Sequence, residues 1–198
     1  MRAVPTRRTF LTACTAALAG CSVLPEESDP IEASASVPAV LSESSGYSVV
    51  TSAEPTVETT VTVDFSGDVE LTARRDVIAT LFQRVYEAPD SRRFGLLTAP
   101  AVRVVEEPEV VRDPVAALED ARVAELATDR SVTDVGEFEE AGSATMLGTE
   151  SVRRRATATV DGGDHRLARV RAGDDSVTAI ATDPEDSTPP FGDVTRDA

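Results

Sequence analysis

Apolar and polar positions alternate most clearly between residues 57 and 65, where Val57, Thr59, Val61, Val63 and Phe65 interleave with Glu58, Thr60, Thr62 and Asp64. A period of two with one apolar side predicts a half-buried β-strand. Ser66-Gly67-Asp68 supplies turn chemistry, and Val69, Leu71 and Ala73 alternate with polar residues on the way back, so the two runs predict a hairpin. Residues 76–86 carry two patterns at once. Ile78, Leu81, Phe82 and Val85 fit helical spacing, while the density of β-branched and aromatic residues suits a strand buried on both faces, the reading preferred here.

Upstream, Pro38 opens a stretch that predicts a short helix through Ser44, closed by Gly46 in the left-handed conformation, with a strand starting at Tyr47. Residues 92–105 hold a second apolar run, Phe94, Leu96 and Leu97, interrupted by Pro100, and Pro108 sits in a charged loop. Asp113-Pro114 is a strong helix start, with a side-chain acceptor at the N-cap and proline at the first helical position. The main helix is therefore predicted over 115–128, with a shallow, alanine-rich face suited to close packing on a sheet. From Ala144 onward the pattern is a meander: a strand over 145–149, a second in which Val152, Ala156, Ala158 and Val160 face inward, a turn at 161–164, a return over 165–171, and a last strand with Val177, Ala179 and Ala181. Strands gathered around one main helix, without βαβ alternation, predict an α+β domain: an antiparallel sheet of hairpins packed with that helix and the short N-terminal one.

The first 21 residues have a different character. Arg7 and Arg8 precede Phe10-Leu11 and an uncharged run, and Leu18-Ala19-Gly20-Cys21 follows. The arginine pair resembles a twin-arginine export signal and the tetrapeptide a lipobox, which together imply cleavage before Cys21 and attachment of a lipid to its thiol. The alternative, a retained membrane helix, has only about 10 uncharged residues where a spanning helix needs roughly 20. The expected organisation is a cleaved signal over 1–20, a lipidated tether over 21–30 broken by Pro25 and Pro30, one domain over 31–183 and a disordered tail over 184–198. The expected location is the extracellular face of the cytoplasmic membrane, with the membrane itself as a partner through the lipid on Cys21.

Composition narrows the chemistry. All 19 basic side chains are arginine, so Schiff-base, phosphate-loop and pyridoxal roles that need a lysine amine are excluded. Removing Arg2, Arg7 and Arg8 with the signal leaves 16 arginines against 35 acids, a net charge of about −19. Such a surface repels nucleic acid, which is not an expected partner. At about 1 M salt the Debye length falls to roughly 3 Å and the repulsion within the surface is screened, so the acidity suits a salt-loving archaeon. Cys14 leaves with the signal and Cys21 is committed to lipid, so neither a disulfide nor a thiolate metal site is expected. With one histidine besides, the expected cofactor content is none.

Three groups invite chemistry. Asp164-His165 evokes a serine hydrolase, but no Gly-x-Ser-x-Gly turn is present and His165 reads as a turn-adjacent residue. Asp161 with Asp164, and Asp174-Asp175, contain calcium-type oxygens in loops too short for an EF-hand, and read as turn residues. Arg153-Arg154-Arg155 sends its first and third members to one face of a strand and the second to the other, where pairing with neighbouring carboxylates is expected and contact with an anion or lipid headgroup is the alternative.

The order of segments resembles a family of twin-arginine-exported lipoproteins of haloarchaea classed as a domain of unknown function. The resemblance rests on residues 41–47 (Leu-Ser-Glu-Ser-Ser-Gly-Tyr), 96–100 (Leu-Leu-Thr-Ala-Pro), the Pro114 helix and residues 146–150 (Met-Leu-Gly-Thr-Glu), and covers most of 31–183. It implies location and fold, and no catalytic assignment. The functional expectation is a non-enzymatic, membrane-anchored binding or accessory module of the cell envelope, whose partner is an envelope protein or small ligand. A secreted hydrolase and a small solute-binding lipoprotein are the alternatives.

Overall fold

The structure is a computed structural model that describes residues 29–65, 71–105, 109–172, 176–183 and 188–197. Arg7, Arg8, Cys21 and the first hairpin's turn lie outside the described residues, as do Asp174 and Asp175. In chain order the strands are β1 (Ile31–Ser34), β2 (Ala39–Leu41), β3 (Ser48–Ala53), β4 (Thr56–Phe65), β5 (Leu71–Thr80), β6 (Phe82–Glu87), β7 (Arg93–Thr98), β8 (Val102–Val105) and β9 (Val110–Arg112). After the helix α1 (Asp120–Thr128) come β10 (Val132–Thr133), β11 (Glu139–Met146), β12 (Thr149–Val160), β13 (Gly163–Ala172), β14 (Val177–Thr182) and β15 (Val194–Arg196).

About 60% of the described residues are strand and 12% helical, and the main sheet curls into an antiparallel half-barrel, which corrects the expected α+β class to a mostly β fold. That sheet runs β10-β12-β13-β14-β7-β6-β3, with β11 also paired to β12. A smaller sheet, β1-β5-β4, and two ribbons, β15-β2 and β8-β9, cover it. β4 and β5 form the expected hairpin, in register from Thr56 opposite Thr80 to Phe65 opposite Leu71. Its continuation explains the double pattern at 76–86. β5 belongs to the small sheet and β6 to the large one, and the chain turns between them at Leu81, which is buried and donates its N–H to the Pro55 carbonyl at 3.0 Å. The segment is strand, as preferred, but in two sheets.

The short N-terminal helix and the disordered tail are corrected together. Ala39–Leu41 is extended because it pairs with Val194–Arg196, and only one 3-10 turn, Glu43–Ser45, follows it. The other edge of β2 is satisfied by side chains: the Ala39 N–H donates to Thr98 Oγ1 at 2.9 Å and the Leu41 N–H to the Tyr86 hydroxyl at 3.0 Å. Gly46 does close the turn in the left-handed region, at φ 77°. In the C-terminal stretch Phe191 and Val194 are buried, and the Phe191 ring meets Phe94 edge-on at 5.5 Å.

The predicted helix is split. Asp113 caps as expected, accepting from the Val115 N–H at 2.9 Å, but Pro114–Ala117 is a 3-10 turn and Leu118 is extended before α1 begins. α1 lies on the large sheet with Val123, Ala124 and Ala127 sealed against it. It comes so close that a Cβ at Gly95 would stand 1.5 Å from the Ala127 carbonyl oxygen. One core fills this side, joining α1, the small sheet, Leu97, Leu167 and Ile180; a second, around Phe94, Leu96, Met146 and Val170, fills the other under β2, β15 and Phe191. Strand β14 between them is buried at all six positions. Both faces are covered, so its inward and outward residues are equally small or apolar.

In the C-terminal meander the turns are set by backbone handedness. Leu147-Gly148 and Asp161-Gly162 each place two consecutive residues at positive φ, the arrangement that tight two-residue hairpins need. The strand expected over 145–149 therefore ends at Met146, and β12 starts at Thr149.

Candidate functional site

β12 carries the arginine triplet, and its pleat separates the three as expected. In the ladder with β13, Arg153 lies opposite Val170 and Arg155 opposite Ala168, while Arg154 lies opposite Arg169 on the other face. The expected carboxylate pairing does not extend to Arg153, which donates to the Ala141 carbonyl from Nε at 3.0 Å and from a terminal nitrogen at 2.8 Å. This closes the irregularity of β11 between Glu140 and Ser143, where Gly142 takes φ 89°.

Arg155 faces a groove of about 420 Å3 shared with Gly136, Glu137, Glu139, Thr157 and Arg166. Three backbone relations assemble it. Glu139 is the β11 neighbour of Arg155, and Arg166 is the β13 neighbour of Thr157. The Gly136 N–H donates to the Thr157 carbonyl at 2.8 Å, which lays the segment before β11 along β12. A Cβ at Gly136 would come within 3.3 Å of Thr157 Oγ1, so the wall there is backbone and approachable. Arg155 is half-buried with its Nε sealed and without a hydrogen bond, and both arginines are held by other interactions in the fold. Two guanidiniums and two carboxylates thus border one concave surface. Guanidinium recognises a carboxylate through paired N–H donors, and the glutamates favour a cation, so the groove suits a ligand carrying both charges.

His165 is half-exposed and its Nδ1 lies 2.9 Å from Asp183 Oδ2. The Asp183 N–H donates to the Arg166 carbonyl at 2.8 Å, which fixes that carboxylate beside the ring. No serine hydroxyl among the described residues hydrogen-bonds the imidazole, so two members of a triad are in contact and a nucleophile is not. Asp161 is a turn residue, as expected, and accepts from the Ser131 N–H at 3.2 Å. Among the described residues no three His, Cys, Asp or Glu side chains converge as a metal site would require.

Periodicity alone did not mark Arg169. It is 7% exposed on the α1 side of the sheet, bonded to Asp120 at the start of α1 and covered by the Phe138 ring, whose centroid is 3.8 Å from the guanidinium carbon. An arginine at an inward position of β13 was the available signal; its partners come from segments that no local pattern connects to it.

No helix among the described residues is long and apolar enough to cross a membrane. A family model described as Domain of unknown function (DUF6517) matches residues 34–197. No curated protein and no solved structure matches the chain.

Proposed function

The chain belongs to this family, defined by a domain and not by an activity, and on that premise we propose that it is a membrane-anchored, non-enzymatic binding module of the haloarchaeal cell envelope. The groove bordered by Arg155, Arg166, Glu137 and Glu139 carries this reading, because it places two arginines of a strongly acidic chain beside two acids on one concave surface. Its ligand is a small zwitterion or a peptide end. The guanidiniums take the carboxylate and the glutamates the ammonium group.

Address and anchor belong to the same proposal. Arg7 and Arg8 direct folded export, and the lipid on Cys21 holds the domain at the outer face of the membrane through a short acidic tether. The acidic composition supports work in high salt, where screening removes the self-repulsion of the surface.

Two measurements separate the parts. Cys21→Ser is expected to abolish lipid labelling and release the protein from membranes, and lysine at both Arg7 and Arg8 to block export; labelled, membrane-bound Cys21→Ser protein would refute the anchor. For the groove, calorimetric titration with short unblocked peptides in molar salt is expected to show saturable binding that Arg155→Ala with Arg166→Ala weakens at least tenfold. Equal binding by the double variant, or the same affinity for peptides blocked at both ends, would refute the groove.

A further inference from the structure

On the face of β13 turned toward α1, Arg169 and Arg171 are two residues apart and point the same way. Arg169 is provided for by Asp120 and Phe138. Arg171 is not. Its Nε is buried without a hydrogen bond, and no carboxylate among the described residues lies within ion-pair distance. Among the described residues the two acids in its field are already committed, Asp113 to the Val115 N–H and Asp120 to Arg169.

Directly across the ladder from Arg171 is Thr178 of β14, on the same face. Thr178 is fully buried and its Oγ1 also lacks a hydrogen bond. Side chains at directly opposed ladder positions have Cβ atoms about 4.5–5.5 Å apart, so the sealed Nε–H of the half-buried Arg171 and the hydroxyl of the fully buried Thr178, neither of them hydrogen-bonded, belong to neighbouring side chains. Buried polar groups without partners are rare in folded proteins because each costs its lost hydration. A bridging water would satisfy both atoms but leave the charge uncompensated. An anion satisfies the hydrogen bonds and the charge together.

We propose that Arg171 Nε and Thr178 Oγ1 form an internal binding site for a small monovalent anion of the size of chloride. The complete burial of Thr178 requires a small ligand that sheds its water. One free cation, with Asp113 and Asp120 in its field, does not balance a doubly charged phosphate or sulfate. The electrostatics agree. Burial above all, and then Arg169, pull the Arg171 guanidinium below its ordinary pKa, against the pull of Asp113 and Asp120. The site is distinct from the Arg155 groove, which lies on the opposite face of the sheet.

Crystals of the full chain grown in sodium bromide test the site directly by anomalous scattering. A bromide peak within hydrogen-bond distance of Arg171 Nε and Thr178 Oγ1 is expected; a water at that position, or no peak, would overturn the proposal. In solution, chlorine-35 line broadening by the wild-type chain should saturate, and the saturable part should fall at least fivefold in the near-isosteric Thr178→Val. Arg171→Met, checked for folding by circular dichroism, should lose it as well. Unchanged saturable broadening in Thr178→Val would count against the site whatever the arginine variant does.

Discussion

The contact between α1 and the large sheet depends on the absence of one methyl group. Gly95 sits in β7 between Val85 of β6 and Ile180 of β14. A Cβ there would stand 1.5 Å from the Ala127 oxygen and 2.3 Å from its carbonyl carbon, whereas ordinary contact begins at 3.4 Å. In Gly95→Ala the helix must therefore rise by about 2 Å, because the colliding atoms are backbone and have no rotamer to change. The rise would part Val123, Ala124 and Ala127, all 0% exposed, from the sheet, and break the hydrogen bond from Gln83 Nε2 to the Leu126 carbonyl. Overpacking costs about 1–3 kcal/mol, and a rigid backbone clash that also orphans a buried amide belongs at the top of that range, about 3 kcal/mol. For a domain of this size that corresponds to a fall of about 6–12 °C in Tm. Urea unfolding at fixed salt measures it, with an unchanged m value marking a stability effect. Gly192→Ala is the control: no heavy atom lies within 4 Å of its built Cβ, and a change within about 0.5 kcal/mol is expected. A Gly95→Ala protein equally close to wild type would refute the packing argument.

Asp113→Ala removes the acceptor for the Val115 N–H and should cost about 1 kcal/mol, with Asp113→Asn recovering most of it in the same urea assay. Phe191→Ala empties a buried site against Phe94 and should cost about 3–5 kcal/mol; a loss under about 1 kcal/mol would mean that the C-terminal stretch does not pack as described. The net charge, −16 for the full chain and about −19 without residues 1–20, predicts a Tm that climbs as salt rises from about 0.1 to 2 M, where screening changes most, and a flat series measured by calorimetry would remove self-repulsion as a factor in stability.

Features legible in the sequence are those whose cause spans a few residues. Alternation from Val57 to Val63 against their polar neighbours dictates a half-buried strand wherever its partner lies, and the partner here follows after one turn. The Asp113 cap, the left-handed Gly46 and the Asp161-Gly162 turn are likewise local bargains between a side chain or a missing Cβ and the adjacent backbone. Tertiary structure decided what depends on distant partners. Residues 39–41 are extended because Val194–Arg196 supplies a ladder from the far end of the chain, and the same pairing orders a stretch whose composition reads as a tail. The turn at Leu81 follows from one ribbon serving two sheets, which a single apolar run cannot disclose. In the candidate groove the triplet and its split across the strand were visible, since the pleat alone separates odd from even positions. That Arg155 meets Arg166 and the Glu137–Glu139 stretch, and that Arg169 lies between Asp120 and Phe138, depended on strand order and on where α1 settles. Charged side chains carry no periodicity that names their partners, because attraction acts through space between whichever elements the apolar cores bring together.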